Sequence, residues 1–252
     1  MKHIQDFAGH TALVTGAASG IGASCARTLA ARGCSKLVLV DLDRDGLNAL
    51  DLPCKMHLIS GSVADPQLWS DLETDLGQLD HAVVNAGISA SGLITDLEFS
   101  EWRRVLDVNL DGAFLTLATA MRAMQKAGGS IVITSSTTGI KPIAGIGPYG
   151  VSKAAIAHMA RIAALEGMPQ KIRVNAIAPG GVDTAIWDSS DVFRQTVAKQ
   201  GRQTALKGMA ETTPRGEFAT AEEIADTILY LLSDAAANIT GHVMVSDGGF
   251  TL

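Results

Sequence analysis

Thr11-Ala12-Leu13-Val14-Thr15-Gly16-Ala17-Ala18-Ser19-Gly20-Ile21-Gly22 is the stretch that decides how the rest of the chain is read. A short β-rich run passes directly into a glycine-rich turn, and a helical pattern opens at Ile21. Glycines at such a turn let the backbone come close to a pyrophosphate, while the N-terminus of the helix offers free N–H groups and a positive dipole end. Gly16, Gly20 and Gly22 have the spacing Gly-x3-Gly-x-Gly, not the commoner Gly-x-Gly-x2-Gly, and alone they are weak evidence. Asp41 strengthens them, because it closes the second β-rich run nineteen residues after Gly22. A carboxylate there can accept from both hydroxyls of an adenosine ribose and repels a 2′-phosphate. Ser19 and Leu42 are neutral, and Asp43 offsets Arg44. The pattern therefore predicts NAD in preference to NADP; an Asp41 that only caps a turn would leave that preference open.

Outward from this unit, β-rich runs alternate with helical patterns. Strands are expected at 11–15, 36–40, 55–60, 80–85, 130–134, 172–177 and 242–246, and helices at 21–32, 66–76, 98–126, 149–166 and 221–232. Several of the strands are almost continuously apolar, as parallel strands buried on both faces are. The expected class is α/β: one domain over residues 1–252, a Rossmann-like, doubly wound sheet of about seven mostly parallel strands with helices on both faces. No repeat, low-complexity linker or composition break divides it. The longest stretch without a strand, about 180–219, would leave the carboxyl edge of the sheet and is read as a substrate lid.

Composition narrows the partners. The chain has 252 residues, 47% hydrophobic and 18% charged, enough for a large core. With 4% aromatics, a net charge of -6 and no basic cluster, a nucleic-acid partner is not expected. Three cysteines, Cys25, Cys34 and Cys54, lack CxxC spacing, and the six histidines show no ligand spacing; neither a disulfide framework nor a metal site is expected, and a reducing cytoplasm fits. Residues 1–10 hold no apolar core of a signal peptide, and no run approaches a membrane span. Two helical stretches, Ala113 to Ala118 and Ala154 to Ala160, are apolar on nearly every face. A helix of that kind is covered on every face, which points to a symmetric homo-oligomer unless the chain's own loops cover it. His158 would then sit in a core or an interface. Met121, Met124, Trp69 and Trp102 are read as packing residues.

Tyr149 and Lys153 are i and i+4 on one helical pattern, and Ser136 lies thirteen residues before the tyrosine. A free phenol, with a pKa of about 10, is a poor base at neutral pH. A neighbouring ammonium, and a positively charged nicotinamide, would favour the phenolate. Tyr149 could then take an alcohol proton as hydride leaves carbon, or return one in reverse, while Ser136 holds the same oxygen. A tyrosine four residues before a lysine is usually structural; the serine and the upstream glycine turn give this one its chemical reading.

These motifs together resemble the short-chain dehydrogenase/reductase family over essentially the whole chain. Thr15 to Gly22 matches its glycine turn, Asn85-Ala86-Gly87 the triplet after the fourth strand, and Asp247-Gly248-Gly249 the C-terminal turn. The resemblance implies a catalytic tetrad of Asn109, Ser136, Tyr149 and Lys153, in which the asparagine holds a relay water and the lysine also binds the nicotinamide ribose. It implies cofactor contacts from Gly16, Ser19, Gly20, Ile21, Gly22, Asp41, Ser62, Val63, Asn85, Ala86 and Gly87, from Tyr149 and Lys153, and from Pro179, Gly180, Val182 and Thr184 near the carboxamide. It also suggests a tetramer. Two positions depart: Val84 stands where a second asparagine is common, and Ser62 where an aspartate often meets adenine.

Substrate walls are expected from residues 88–93, 137–147 and the lid, with Ile88, Thr138, Ile186 and Trp187 beside Ser136 and Tyr149. These are mostly apolar or small, which suggests a neutral, moderately apolar secondary alcohol or ketone, possibly cyclic, with oxidation favoured by an NAD preference. Two alternatives stand. One is a 3-oxoacyl-carrier-protein reductase, whose carrier-docking arginines Arg173 resembles in one place, while Ser130 occupies the other. The second is a non-catalytic, dinucleotide-sensing protein.

Overall fold

The computed structural model describes residues 6–211 and 213–252. The part of the signal-peptide reading that falls on residues 1–5 lies outside the described residues. Seven strands form one sheet: β1 (Thr11–Thr15), β2 (Lys36–Asp41), β3 (Lys55–Ser60), β4 (His81–Val84), β5 (Gly129–Thr134), β6 (Ile172–Pro179) and β7 (Val243–Ser246). Their order is β3-β2-β1-β4-β5-β6-β7. Every pairing is parallel, where the sequence suggested only mostly parallel strands.

The helices are α1 (Gly20–Ala31), α2 (Arg44–Asn48), α3 (Pro66–Leu76), α4 (Phe99–Leu106), α5 (Gly112–Met124), α6 (Gly147–Gly167), α7 (Asp191–Gln200), α8 (Arg202–Ala210) and α9 (Ala221–Leu232). Strand alternation divides the core into two layers. Ala12, Val14, Leu37 and Leu39 pack with Ala23, Ala26 and Leu29 of α1 and with Ile224, Ile228 and Leu231 of α9. Leu13, Val38, Ile131 and Ile133 face the other way, onto Trp69 and Leu72 of α3, Leu117 of α5 and Ile156 of α6. Met124 and Trp69 are buried as expected, and the Trp69 indole N–H donates to the Val63 carbonyl at 2.8 Å.

The strand order reverses between β1 and β4, and in such sheets the crevice beyond the carboxyl ends at the reversal is where ligands bind. Gly16 follows β1 there and Asn85 follows β4. Three local differences from the sequence reading matter. The single helix expected over 98–126 is α4 and α5 joined by a turn of π-helix, Asp107–Asp111, with Asn109 at its centre. The short α2 was not anticipated; Asp43 starts it by accepting from the Gly46 N–H, and five residues carry no period to read. The stretch 180–219 holds α7 and α8, and its stem is closed by a parallel bridge between Val182 and Ala219.

Candidate active site

The glycine turn is built by its neighbours. Gly16 has φ of +67°, a conformation glycine adopts without strain. A Cβ on Gly22 would sit 2.0 Å from the Gly16 carbonyl oxygen, so only glycine fits. The Thr15 hydroxyl accepts from the backbone N–H groups of Asn85 (3.0 Å) and Ala86 (3.2 Å), and the Asn85 amide donates to the Thr15 carbonyl (3.1 Å). The carboxyl ends of β1 and β4 are thereby fastened together. Ser19 precedes α1 without capping it through its side chain, and the first turn carries no acidic residue. The N–H groups at that helix start thus have neither a side-chain acceptor from Ser19 nor a repelling charge, which suits an anion. Ile21 lies in this first turn. These residues fit a dinucleotide.

Asp41 ends β2 with one carboxylate oxygen accepting from Ala18 N–H, inside the glycine turn, at 2.9 Å, and the other from Asp43 N–H at 3.0 Å. It therefore does cap a turn, and it also brings its negative charge to the rim of the cradle. Ser62 accepts from Ala64 N–H at 3.2 Å, and Val63 is buried beside it.

The proton-handling groups converge from three elements. Lys153 is buried in α6, its ammonium donating to the Thr134 carbonyl at the end of β5 (2.7 Å) and lying 5.5 Å from the centre of the Tyr149 ring. Ser135 donates to the Lys153 carbonyl at 2.7 Å, a second stitch between β5 and α6. Ser136, just past β5, accepts from Thr138 N–H at 3.2 Å and bonds the Tyr149 phenol. Asn109, fully buried, accepts from Ile88 N–H (2.8 Å) and donates to Ile88 O (2.9 Å) and to Ser152 Oγ (3.1 Å). A Cβ on Gly87 would come within 3.3 Å of both Asn109 Oδ1 and Lys153 Nζ, which places Asn109, Lys153 and the Asn85-Ala86-Gly87 segment side by side.

Burial pushes the Tyr149 phenol above its ordinary value, with the Ser136 hydrogen bond pulling the other way, and holds Lys153 at about 8. In the chain alone, burial thus outweighs the lowering expected from the neighbouring ammonium. Desolvation penalises both charged forms. Stabilising the phenolate here calls for a further positive charge, of the kind a nicotinamide brings.

Pro179 ends β6, and Gly180 N–H donates to Ser246 O at 3.0 Å, so the stretch beyond it starts against the C-terminal turn of Asp247. Val182 is buried in the lid stem. The Thr184 methyl lies 3.1 Å from the position of a Cβ on Gly20, directly against the glycine turn. Thr138 Oγ1, like Thr134 Oγ1, is buried and bonds nothing among the described residues. Ile186 is half-buried in the turn Ala185–Ser189. Trp187 sits differently from the pocket-lining role expected of it. Its indole N–H donates to Val182 O at 2.7 Å and its face stacks on Phe218 at 5.4 Å, so it forms the lid's own small core with Phe193, Ala205 and Leu206. The segment after Asn85 meets the one after Ser136 through a bridge between Gly92 and Ile146, and exposed Leu93, Ile94, Ile140 and Ile143 line that rim.

The sequence placed Thr15 in the glycine-turn motif without a role for its hydroxyl, and it did not point to Ser152 or the Thr134 carbonyl. Ser152 adjoins a residue that was found, and adjacency was the available signal; a backbone carbonyl used as an ammonium partner leaves no mark in sequence.

A parallel sheet with a dinucleotide cradle at its reversal and a half-buried tyrosine beside a buried lysine and serine defines a nucleotide-dependent oxidoreductase. Comparison with known proteins gives the family. The family described as Enoyl-(Acyl carrier protein) reductase matches residues 16–251. A 3beta-hydroxysteroid dehydrogenase of Mediterraneibacter gnavus is 34% identical over 95% of this chain and 94% of its own. A cis-4-hydroxycyclohexanecarboxylate dehydrogenase of Sinomonas cyclohexanicum is 36% identical over 98% of both. The crystal structure of levodione reductase superposes with a TM-score of 0.87 at 30% identity, over 96% of this chain and 98% of that one. The chain belongs to the short-chain dehydrogenase/reductase family and is an alcohol dehydrogenase/ketoreductase.

Proposed function

We propose that this enzyme transfers hydride between NAD(H) and a neutral, moderately apolar secondary alcohol or ketone carried on a ring, mainly in the oxidative direction. The observation that carries the reading is the Lys153 ammonium 5.5 Å from the centre of the Tyr149 ring, with Ser136 beside the phenol. Bound nicotinamide would supply the hydride acceptor. Gly16, Gly20, Ile21 and Gly22 with Ser19 would hold the pyrophosphate, Asp41 the adenosine ribose, Ser62 and Val63 the adenine side, and Pro179, Gly180, Val182 and Thr184 the carboxamide side. Tyr149 moves the proton, Ser136 holds the substrate oxygen, and Lys153 biases the phenol and binds the second ribose. Asn109 keeps Ile88 and Ser152 in register, so that the wall after Gly87 stays aligned with α6. Asp41 supports NAD over NADP by charge, and Arg44 faces a hollow of about 280 Å³ with Leu47, Asn48, Leu58 and Ser60. Relatives that act on hydroxysteroids and hydroxycyclohexanecarboxylates, together with the apolar rim, support a cyclic substrate. Exposed Phe114 (57%), Val151 (50%) and Leu165 (72%) on α5 and α6 support a homo-oligomer, in which His158, exposed in the single chain, would be covered. A tetramer in the cytoplasm is the form we infer.

The 3-oxoacyl-carrier-protein reductase is the second reading, favoured by relatives of that name that are 32% identical to this chain. Against it, Arg173 spends its guanidinium on the carbonyls of Leu231 (2.7 Å), Leu232 (2.9 Å), Ser233 (3.0 Å) and Ile239 (3.2 Å), and so has little left for an acidic carrier. A panel of cyclic alcohols, hydroxysteroids and ketones, followed at 340 nm with NAD and with NADP, decides between them. NAD-linked turnover of ring alcohols is expected; turnover only with NADP and an acyl thioester would give the second reading its place.

A further inference from the structure

We infer that Arg202 is a positioning residue: from the first turn of α8 it fastens the lid to the Asp183–Thr184 strip that touches the glycine turn, so that lid order and dinucleotide binding become one event. The inference rests on the dinucleotide reading above and assigns a residue that none of the motifs contains.

The geometry is as follows. Gly201 ends α7 with φ of +81° and no atom near its missing side chain, which makes an open corner between α7 and α8. Arg202 follows at once. Its Nη2 donates to Asp183 Oδ1 (3.0 Å) and to the Thr184 carbonyl (2.8 Å), its Nη1 to Asp188 Oδ1 (2.7 Å), and its guanidinium lies 5.3 Å from the centre of the Phe193 ring. One side chain thus joins both lid helices to the strip leaving β6. That strip links lid and cradle: Asp183 N–H is held in the stem by the Ala219 carbonyl at 3.3 Å, and the Thr184 methyl lies against Gly20.

The lid has an apolar core of its own around Phe193, Trp187 and Leu206, so it can keep its shape while changing how it sits on the sheet. What fixes its seat is then polar. The pairs are half-exposed, with side-chain accessibilities of 32% for Arg202, 43% for Asp183 and 52% for Asp188, and pairs of that kind add little to global stability. Their value is geometric. A planar guanidinium satisfies two carboxylates and a carbonyl at fixed angles, which a lysine's point charge does not reproduce. A dinucleotide that presses on Thr184 would find the strip already oriented when Arg202 is bonded, and would in turn favour the bonded arrangement; the coupling is reciprocal.

The test compares the full-length protein with Arg202→Ala, Arg202→Lys and Asp183→Asn, using NADH as the probe. Two readouts are taken: the dissociation constant by NADH fluorescence, and hydrogen exchange of the backbone amides of residues 193–210 with and without NADH. In the unaltered protein NADH should slow exchange in that segment. Arg202→Ala should raise the dissociation constant about three- to tenfold and abolish the NADH-dependent slowing, with the melting temperature nearly unchanged. Arg202→Lys should restore only part of both effects, and Asp183→Asn combined with Arg202→Ala should do little more than either alone. Unchanged NADH affinity and unchanged protection in Arg202→Ala would overturn the inference. Failure of the unaltered protein to bind NADH at all would instead overturn the dinucleotide reading, so the two failures are distinguishable.

Discussion

Tyr149→Phe removes one oxygen and leaves the ring packing in place. If the phenol moves the proton, turnover should fall about a hundredfold to ten-thousandfold while NAD affinity, measured by fluorescence, stays within about twofold. Retained turnover would remove Tyr149 from the proton transfer. The pH profile reports on the same group. Alcohol oxidation releases a proton, so it needs the basic form of the Tyr149–Lys153 pair. With Lys153 held at about 8, kcat/KM for oxidation should climb as pH rises through that region, with an apparent pKa that belongs to the pair. Lys153→Met should flatten the rise; a profile unchanged by that substitution would detach the lysine from the chemistry. At this scale Ser136, Tyr149 and Lys153 were legible from residue type and spacing, and Asn109 only through the family resemblance. The environment was not: that desolvation would outweigh the lysine's pull on the phenol depends on atoms from β5, α6 and the turn after Ser136 arriving together.

Element ends carry the next set of expectations. Arg173, on β6, donates to the last carbonyls of α9 and so satisfies acceptors that the helix leaves open. Arg173→Met should cost about 2 kcal/mol, read as a melting temperature lower by about 4–8 °C. A drop under about 1 °C would show that water replaces the guanidinium. In the same row at the amino-terminal edge of the sheet, His81 of β4 is buried in a chain of polar contacts. Its Nδ1 lies 2.8 Å from Ser130 Oγ and its Nε2 lies 2.9 Å from His10 Nδ1, while the Ser130 hydroxyl donates to Leu232 O at 2.6 Å. Since the serine gives its proton to Leu232, it accepts from His81 Nδ1–H, and Nε2 must then accept from His10. The arrangement is compatible with neutral His81, and burial holds its pKa down at about 3. The folded value lies below the unfolded one of about 6.5, so the unfolded chain binds the extra proton. The stabilisation is present above pH 6.5 and is lost as pH falls from there towards 3. Melting temperatures should decline from about pH 6.5 to 5, above the carboxylate range, and His81→Leu should lose that slope even if it is less stable throughout. Element boundaries were readable where caps and periods agree, as in α3, where Asp65 accepts from Gln67 N–H and Pro66 opens the helix. The π-turn around Asn109 was not readable. It adds one residue's width to a helix whose apolar pattern continues on both sides, and it exists to satisfy Asn109 with Ile88 and Ser152 from other parts of the chain.

For the whole molecule, the exposed apolar faces of α5 and α6 set the expectation. Phe114 and Leu165 lie there with 57% and 72% of their surfaces exposed in a single chain. Sedimentation velocity should give a mass above one chain of 26.2 kDa, and Phe114→Asp with Leu165→Glu should return it to the monomer. A monomer before substitution would mean that these faces are free.

The sequence by itself determined the parallel α/β sheet, the cradle after β1, the acidic tip of β2 and the serine, tyrosine and lysine of the tetrad. These are local: strand and helix periods, glycine positions and i,i+4 spacing survive without knowledge of the rest of the chain. Only the tertiary structure decided that Thr15 locks β1 to β4, that Lys153 rests on the Thr134 carbonyl, that Trp187 serves the lid's interior, and that Arg202 bridges lid and cradle. Each depends on residues far apart in sequence meeting at one edge of the sheet. There, a hydrogen bond is made or a charge desolvated according to what else is folded around it, and no period or spacing encodes that.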